Sequence, residues 1–423
     1  MTADRPLWAA RLRDERNGRL WSQKETAIRL RNAADEQTRA RLPDLASIQR
    51  YVRDYEAGKH RPGDLYMALY CRVFGMSADV LFAAQSSRLP LDHHPTEEDA
   101  ANLTAWIEST NTGDDAVTYL AGATLRLAEA HTQLPPKQVL ADVVRLHRQT
   151  QMLLHGGKQR LRQTRELFRI DADLLAHACL LIGDLDEKNQ AANAYGRAAA
   201  LCAEEAGATK AMGLSARAKT SRWQCRYTES ADLATAGYAC SPATQVRVLL
   251  ASQEASAAAL LGDARRAHEA LARADGAANS LLASDSGRSA WSCATPRQAM
   301  YRLVVSLHLG NPEAALRAAE MADAAWAGGD PWMYGTWAQI RIGAGIANVM
   351  TGSLDGAAEQ IAAVLAMPPA YRIATVIRHL AALDARLRQR RLRDHVAAVD
   401  LREQIRSFTI GAQPGHAPAM EDK

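Results

Sequence analysis

Few residues in this 423-residue chain fall at spacings that chemistry requires. A phosphate-cradling GxxxxGK[ST] loop, an HExxH zinc helix and a GxSxG nucleophile elbow are all missing. "GAGIAN" (343–348) has two glycines of a dinucleotide fingerprint, lacks the third, and sits in a predicted helix with no strand before it. His93 and His94 are adjacent, but no third ligand is nearby in sequence, so a solvated linker pair is expected rather than a metal site. Cys71, Cys179, Cys202, Cys225, Cys240 and Cys293 form no CxxC pair and read as small core residues in a reducing cytosol. No enzyme, metal or cofactor is expected. One stretch keeps chemical character: "YVRDYEAGKHRP" (51–62), where charged side chains meet a glycine stop and a basic run closed by proline. It suits either the end of a helix that reads DNA or a solvated turn.

The elements that would position it are short helices. "RPLWAARLRDERNG" has helical spacing, with Gly18 as its stop. Ser22 and Glu25 form an S-x-x-E capping box, so the next helix should start at Gln23. A third spans 43–56, with Pro43 in its first turn and Asp44 complementing the dipole. Leu45, Ile48, Val52 and Tyr55 make one apolar stripe there, and Gly58 ends it. "GDLYMALYCRVFG" and "SADVLF" supply two more helices. Residues 1–90 carry 16 Lys or Arg against 11 Asp or Glu, a net of +5, while the remainder carries 35 against 36, a net of −1. That asymmetry favours an acidic partner for the N-terminal region, or reflects scatter of surface charge.

Five short helices with a basic surplus outline a helix-turn-helix domain. "WSQKETA" and "VRDYEAGKHRP" resemble the first motif helix and the end of the recognition helix in the XRE-type, phage-repressor-like family. The resemblance covers residues 5–82. It implies base contacts from Gln49, Arg50 and Arg53, which lie off the apolar stripe; Arg suits guanine and Gln adenine. It implies phosphate contacts from Gln23, Lys59, His60 and Arg61, and an ion pair between Arg16 and Glu56. The chain departs from the family in "RLRNAADEQTRARLPDLAS", which lengthens the connection between the motif helices. Either an extended second helix plus a loop or an extra turn of the recognition helix would accommodate it.

After a linker at 84–100, residues 101–408 read as a string of Ala-rich helices. A turn signature recurs at 183, 227, 262, 310 and 352, at steps of 44, 35, 48 and 42 residues. One helical hairpin per step cannot bury its apolar face, whereas a stack can. The expected fold is therefore all-α: a five-helix helix-turn-helix domain (1–83), then an α-solenoid resembling tetratricopeptide hairpins, then a disordered tail (409–423). The arginine-rich stretch "RHLAALDARLRQRRLRDHVAAVDLREQIRSF" reads as a long capping helix with a solvated basic face. Four of the eight tryptophans cluster between 291 and 337, and "GGDPWMYGTW" (328–337) enters a helix. Trp291, Trp332, Tyr334 and Trp337, with Trp223, Tyr227 and Tyr301, line an effector pocket or form hairpin core.

No apolar run reaches transmembrane length, and the first residues lack a signal-peptide core, so a cytoplasmic, nucleoid-associated protein is expected. The whole arrangement resembles a class of actinomycete regulators. That resemblance implies a dimeric regulator of secondary metabolism or development, bound to a double-stranded operator and answering a small-molecule or peptide effector. The alternative is a repeat scaffold whose N-terminal domain no longer reads an operator.

Overall fold

The computed structural model describes residues 6–82, 97–186, 190–281 and 287–410. His93, His94, most of the expected linker and most of the expected tail lie outside them. Among the described residues the chain is all helical, with no strand. It divides into two compact units, Met1–Thr104 and Ala105–Lys423.

The N-terminal unit contains α1 (Leu7–Gly18), α2 (Gln23–Asn32), α3 (Glu36–Arg41), α4 (Leu45–Glu56), α5 (Asp64–Phe74) and α6 (Ala78–Leu81). Ser22 caps α2 by accepting the Glu25 amide at 3.0 Å, but the Glu25 carboxylate turns to Arg29 at 2.9 Å. Half of the expected capping box is therefore formed. Asp44 is the N-cap of α4, accepting the Ser47 amide at 2.7 Å, which leaves Pro43 outside the helix rather than in its first turn. The chain does not reverse at Gly18. Gly18 is the last helical residue of α1, and Leu20 takes the left-handed conformation at φ 59°.

The long connection resolves into a separate helix. Asp35 caps α3 through the Thr38 amide at 2.8 Å. Arg39 then reaches back to the carbonyls of Asn32 (3.2 Å) and Ala34 (2.9 Å), satisfying the end of α2. The domain has six helices where five were expected. Ile48, Val52 and Tyr55 of α4 are buried with Leu12 of α1, Leu30 of α2 and Tyr70 of α5, so the apolar stripe fixes which face of α4 looks outward.

α7 (Glu97–Glu108) begins within the stretch expected to be linker and crosses the boundary between the units. The C-terminal unit then runs through α8 (Asp114–Ala130), α9 (Pro136–Gly156), α10 (Leu161–Leu185), α11 (Gln190–Glu205), α12 (Ala211–Trp223), α13 (Tyr227–Cys240), α14 (Gln245–Leu260), α15 (Ala264–Asn279), α16 (Thr295–His308), α17 (Pro312–Ala327), α18 (Tyr334–Thr351), α19 (Leu354–Leu365), α20 (Ala374–Leu387) and α21 (Val396–Ile410). From α10 onward they pack in consecutive pairs, a solenoid-like arrangement. The first helices of successive pairs also touch one another, α10 to α12 through to α18 to α20, and α10 meets α20. This inner layer therefore curves back on itself.

Position in the stack explains the composition. α14 is enclosed on all sides and buries residues 248–259 without a break. Its partner α15 buries one alanine stripe, Ala267, Ala270, Ala274 and Ala277. Gly183, read as a turn, lies inside α10, where an added Cβ would stand 2.8 Å from the Trp223 ring. Gly343 of "GAGIAN" likewise meets Leu303 at a helix crossing. The arginine-rich stretch is not one long helix: α20 ends at Leu387, and residues 388–395 connect it to α21. Cys225 and Cys240 are exposed rather than core. No helix among the described residues is long and apolar enough to cross a membrane.

Candidate functional site

α4 is held at both ends and presents a polar face. Asp44 fixes its start, and Glu56 fixes its end. The Glu56 carboxylate is 4% exposed and receives Arg16 in bidentate form, Nε at 2.6 Å and Nη2 at 3.0 Å. Arg16 Nη1 donates in turn to the Trp21 carbonyl at 2.8 Å. Gln23 Nε2 donates to the same carboxylate at 3.0 Å. One buried acid thus ties α1, the start of α2 and the end of α4 together, and hydrogen bonding to Glu56 raises the Arg16 pKa further.

The structure places Arg50 and Arg53 on the exposed side of α4, opposite Ile48 and Val52, with Gln49 half-buried beside them. Arg50 lies 5.7 Å from the Tyr51 ring centre. The Arg53 side chain makes no hydrogen bond or ion pair among the described residues. The residues expected at phosphates are more engaged. Lys59 pairs with Asp54 at 2.8 Å, and that bond holds the Asp54 carboxyl below its ordinary range. His60 stands edge-on to Tyr55 at 5.3 Å, and Arg61 donates to the Phe82 carbonyl at 3.1 Å. Gln23 is the member tied to Glu56.

The seven aromatics do not assemble into one pocket. Tyr301 and Tyr334 line a cavity of about 70 Å³ in the C-terminal unit. Trp223 is buried under Lys219, whose Nζ lies 4.4 Å from its ring, and Trp291 is buried edge-on to His177 at 6.2 Å. Trp332 and Trp337 pack on each other at 6.1 Å, with Trp332 exposed and lining a separate depression. Tyr227 stands half-buried at the start of α13.

The cavity is walled instead by charge. Asp184 accepts Lys219 Nζ at 3.2 and 3.3 Å and lies 3.4 Å from His131 Nε2. His131 Nδ1 is 2.8 Å from His177 Nε2. Burial pushes Asp184 up, but Lys219 and His131 outweigh it and leave the carboxyl below its ordinary value. Burial lowers His131, and burial followed by its neighbour His131 lowers His177 well below. Both rings are then neutral, and one proton arrangement fits: His177 Nε2–H donates to His131 Nδ1, and His131 Nε2–H donates to Asp184.

No periodicity signals this cluster, because its members come from the end of α8 and from α10, α12, α16 and α18 and meet only when the helices stack. The available hint was Lys219 and Arg222 inside "SARAKTSRW", a helix with no polar face of its own. Comparison of the chain with protein-family models, curated proteins and solved structures returns no match.

Proposed function

We propose that this protein is a DNA-binding transcriptional regulator whose N-terminal unit reads an operator through the outward face of α4. The observation that carries the reading is the pair Arg50 and Arg53, exposed on a helix whose other face is core and whose ends are locked by Asp44 and Glu56. A helix presented this rigidly can hold bidentate donors at guanine edges, and the net +5 of the first 90 residues favours the phosphate backbone. Paired half-sites multiply affinity, so the protein works as a homodimer in this reading. Its resemblance to actinomycete regulators extends the proposal to control of secondary metabolism or development, with the tetratricopeptide-like unit sensing a ligand or partner.

The test is selection of genomic fragments, including the upstream region of its own gene, by the purified protein in about 150 mM salt. Enrichment of a two-fold symmetric site is the expected result. Uniform recovery of all fragments overturns it.

A second reading has its own support. Lys59, Arg61 and Gln23 each bond within the unit, which removes donors from any phosphate. A repeat scaffold with a non-reading N-terminal domain fits that engagement. Counterion release separates the two, since operator binding weakens steeply with salt and an apolar peptide groove responds little.

A further inference from the structure

The cavity of the C-terminal unit holds more positive charge than the described residues neutralise. Its walls carry Lys219, Arg222 and Arg297 against one carboxylate, Asp184, which already serves Lys219 and His131. Arg297 is 9% exposed and answered by carbonyls, Nη1 donating to Ala290 at 2.7 Å and Ser292 at 2.8 Å. Arg222 is 7% exposed, and Nη1 donates to the Ser256 hydroxyl at 2.8 Å. Its Nε is buried without an acceptor. Arg378 stands close enough to add to the positive field on Arg222. Neither Arg222 nor Arg297 has an ion-pair partner among the described residues. Buried guanidinium groups without a counter-charge are strongly disfavoured, and a hydrogen-bonding anion relieves that directly.

The geometry points to a binding site for a small carboxylate in this cavity, the carboxylate facing Arg222 and Lys219 and a short apolar tail facing Leu180, Met300 and Ile373. Size limits the ligand. A water-sized group needs roughly 10–15 Å³ of such space, so about 70 Å³ holds about five non-hydrogen atoms. The mixed wall decides between small oxyanions. Phosphate would set one or more oxygens against the Leu180, Met300 and Ile373 side, whereas a short-chain carboxylate matches both halves. This inference goes beyond operator reading and stands whether or not the N-terminal unit binds DNA.

The test is calorimetric titration of the full-length protein with propanoate at constant ionic strength, with propanamide and inorganic phosphate as parallel arms. Best-case efficiency per atom limits a ligand this small to a dissociation constant no tighter than about 3 μM, so the titration spans about 1 μM to about 10 mM. Propanoate should bind saturably, propanamide should not, and phosphate should bind at least about tenfold more weakly because part of it faces apolar wall. Arg222→Gln should weaken propanoate by about 30-fold or more. Gln339→Glu tests the site independently of Arg222: a carboxylate built into the wall should abolish propanoate binding and raise the melting temperature of the unit. No saturable binding of propanoate, equal binding of propanamide, tighter binding of phosphate, or a folded variant that binds unchanged would each overturn the assignment.

Discussion

Two arginines, Arg16 half-buried and Arg222 buried, face opposite electrostatic situations. Arg16 in the N-terminal unit meets Glu56 through two hydrogen bonds, and Gln23 completes the carboxylate's coordination. Arg222 in the C-terminal unit meets a serine hydroxyl and the Tyr301 ring at 5.9 Å, with no carboxylate. The first arrangement closes a domain and leaves its outer face free for other work. The second leaves charge uncompensated around a space. A buried charge with its partner is a strut, and a buried charge without one beside a cavity is a place for a ligand.

Removing one charged side chain from each unit gives the largest contrast. Glu56→Ala strands Arg16 in a largely buried position and should destabilise the N-terminal unit by about 3 kcal/mol. Arg222→Met removes a charge that has no counter-ion among the described residues and should leave the C-terminal unit at least as stable, with a gain of up to about 3 kcal/mol. Urea unfolding of both variants, with hydrogen exchange to assign each transition, measures the difference. Equal losses in the two units would remove the distinction drawn between strut and site.

Acid should separate the units as well. The buried His131 and His177 stay neutral in the folded state, so below about pH 6.5 the unfolded chain takes up protons that the folded pair refuses. Stability of the C-terminal unit is therefore complete above that pH and falls below it, by at most about 1.4 kcal/mol per pH unit for each histidine, until the pH reaches that ring's depressed folded value. In the N-terminal unit, Asp35 and Asp44 are depressed by bonds to Thr38 and Ser47, and Asp54 by its bond to Lys59. Their contributions hold above the ordinary carboxylate value near about 4 and are lost only as the pH falls through the depressed folded values. Hydrogen exchange between pH 7 and 5 should show the C-terminal unit loosening first. The reverse order would mean that the histidine pair is charged or exposed.

On the outer face of α4 the contrast lies between residues that are engaged and residues that are not. Arg50→Ala or Arg53→Ala should weaken the selected operator by about 1–3 kcal/mol and relax preference at one base position. Lys59→Ala, already paired with Asp54, should weaken all sequences alike and by less, lowering the salt slope by about one. Fluorescence anisotropy against matched and mismatched duplexes distinguishes them. If Arg50 and Arg53 also act uniformly, α4 meets the backbone and does not read bases.

How far each unit could be read in advance follows from the range of its interactions. Ser22, Asp44 and the Ile48–Val52–Tyr55 stripe act within a few residues, so pattern alone placed α2 and α4. The Arg16–Glu56 pair spans 40 residues and was reached only through a family resemblance. α3 went unseen because its six residues bury nothing, and its signals are the Asp35 cap and the Arg39 contacts. In the C-terminal unit the turns at Gly262, Gly310 and Gly352 were legible from their recurrence, and each glycine takes the left-handed conformation. Gly183 was misread because a glycine demanded by the Trp223 ring is indistinguishable in sequence from one demanded by a turn. The cavity was invisible for a related reason: Asp184, Lys219, Arg222 and Arg297 converge from three helices through stacking alone.

The smallest expected effect makes the sharpest local comparison, because among the described residues each unit has one non-glycine residue in the left-handed region, at the same φ. Leu20 after α1 and Cys225 after α12 both stand at φ 59°. Both close a helix end in the same way: the following residue donates five residues back, Trp21 to Arg16 at 3.1 Å and Arg226 to Ser221 at 2.8 Å. For an L-residue this conformation is disfavoured by about 1 kcal/mol, and glycine occupies it without that penalty. Leu20 is 93% exposed, so Leu20→Gly removes almost no packing and should raise the stability of the N-terminal unit by up to about 1 kcal/mol. Cys225 differs in that its thiol neighbours Tyr227 and raises that phenol. Cys225→Gly gives up that contact for the same backbone relief and should gain less, or nothing. Thermal melts of the two variants decide it. Equal gains would mean that backbone strain alone sets both ends and that the thiol contact next to Arg222 carries no weight.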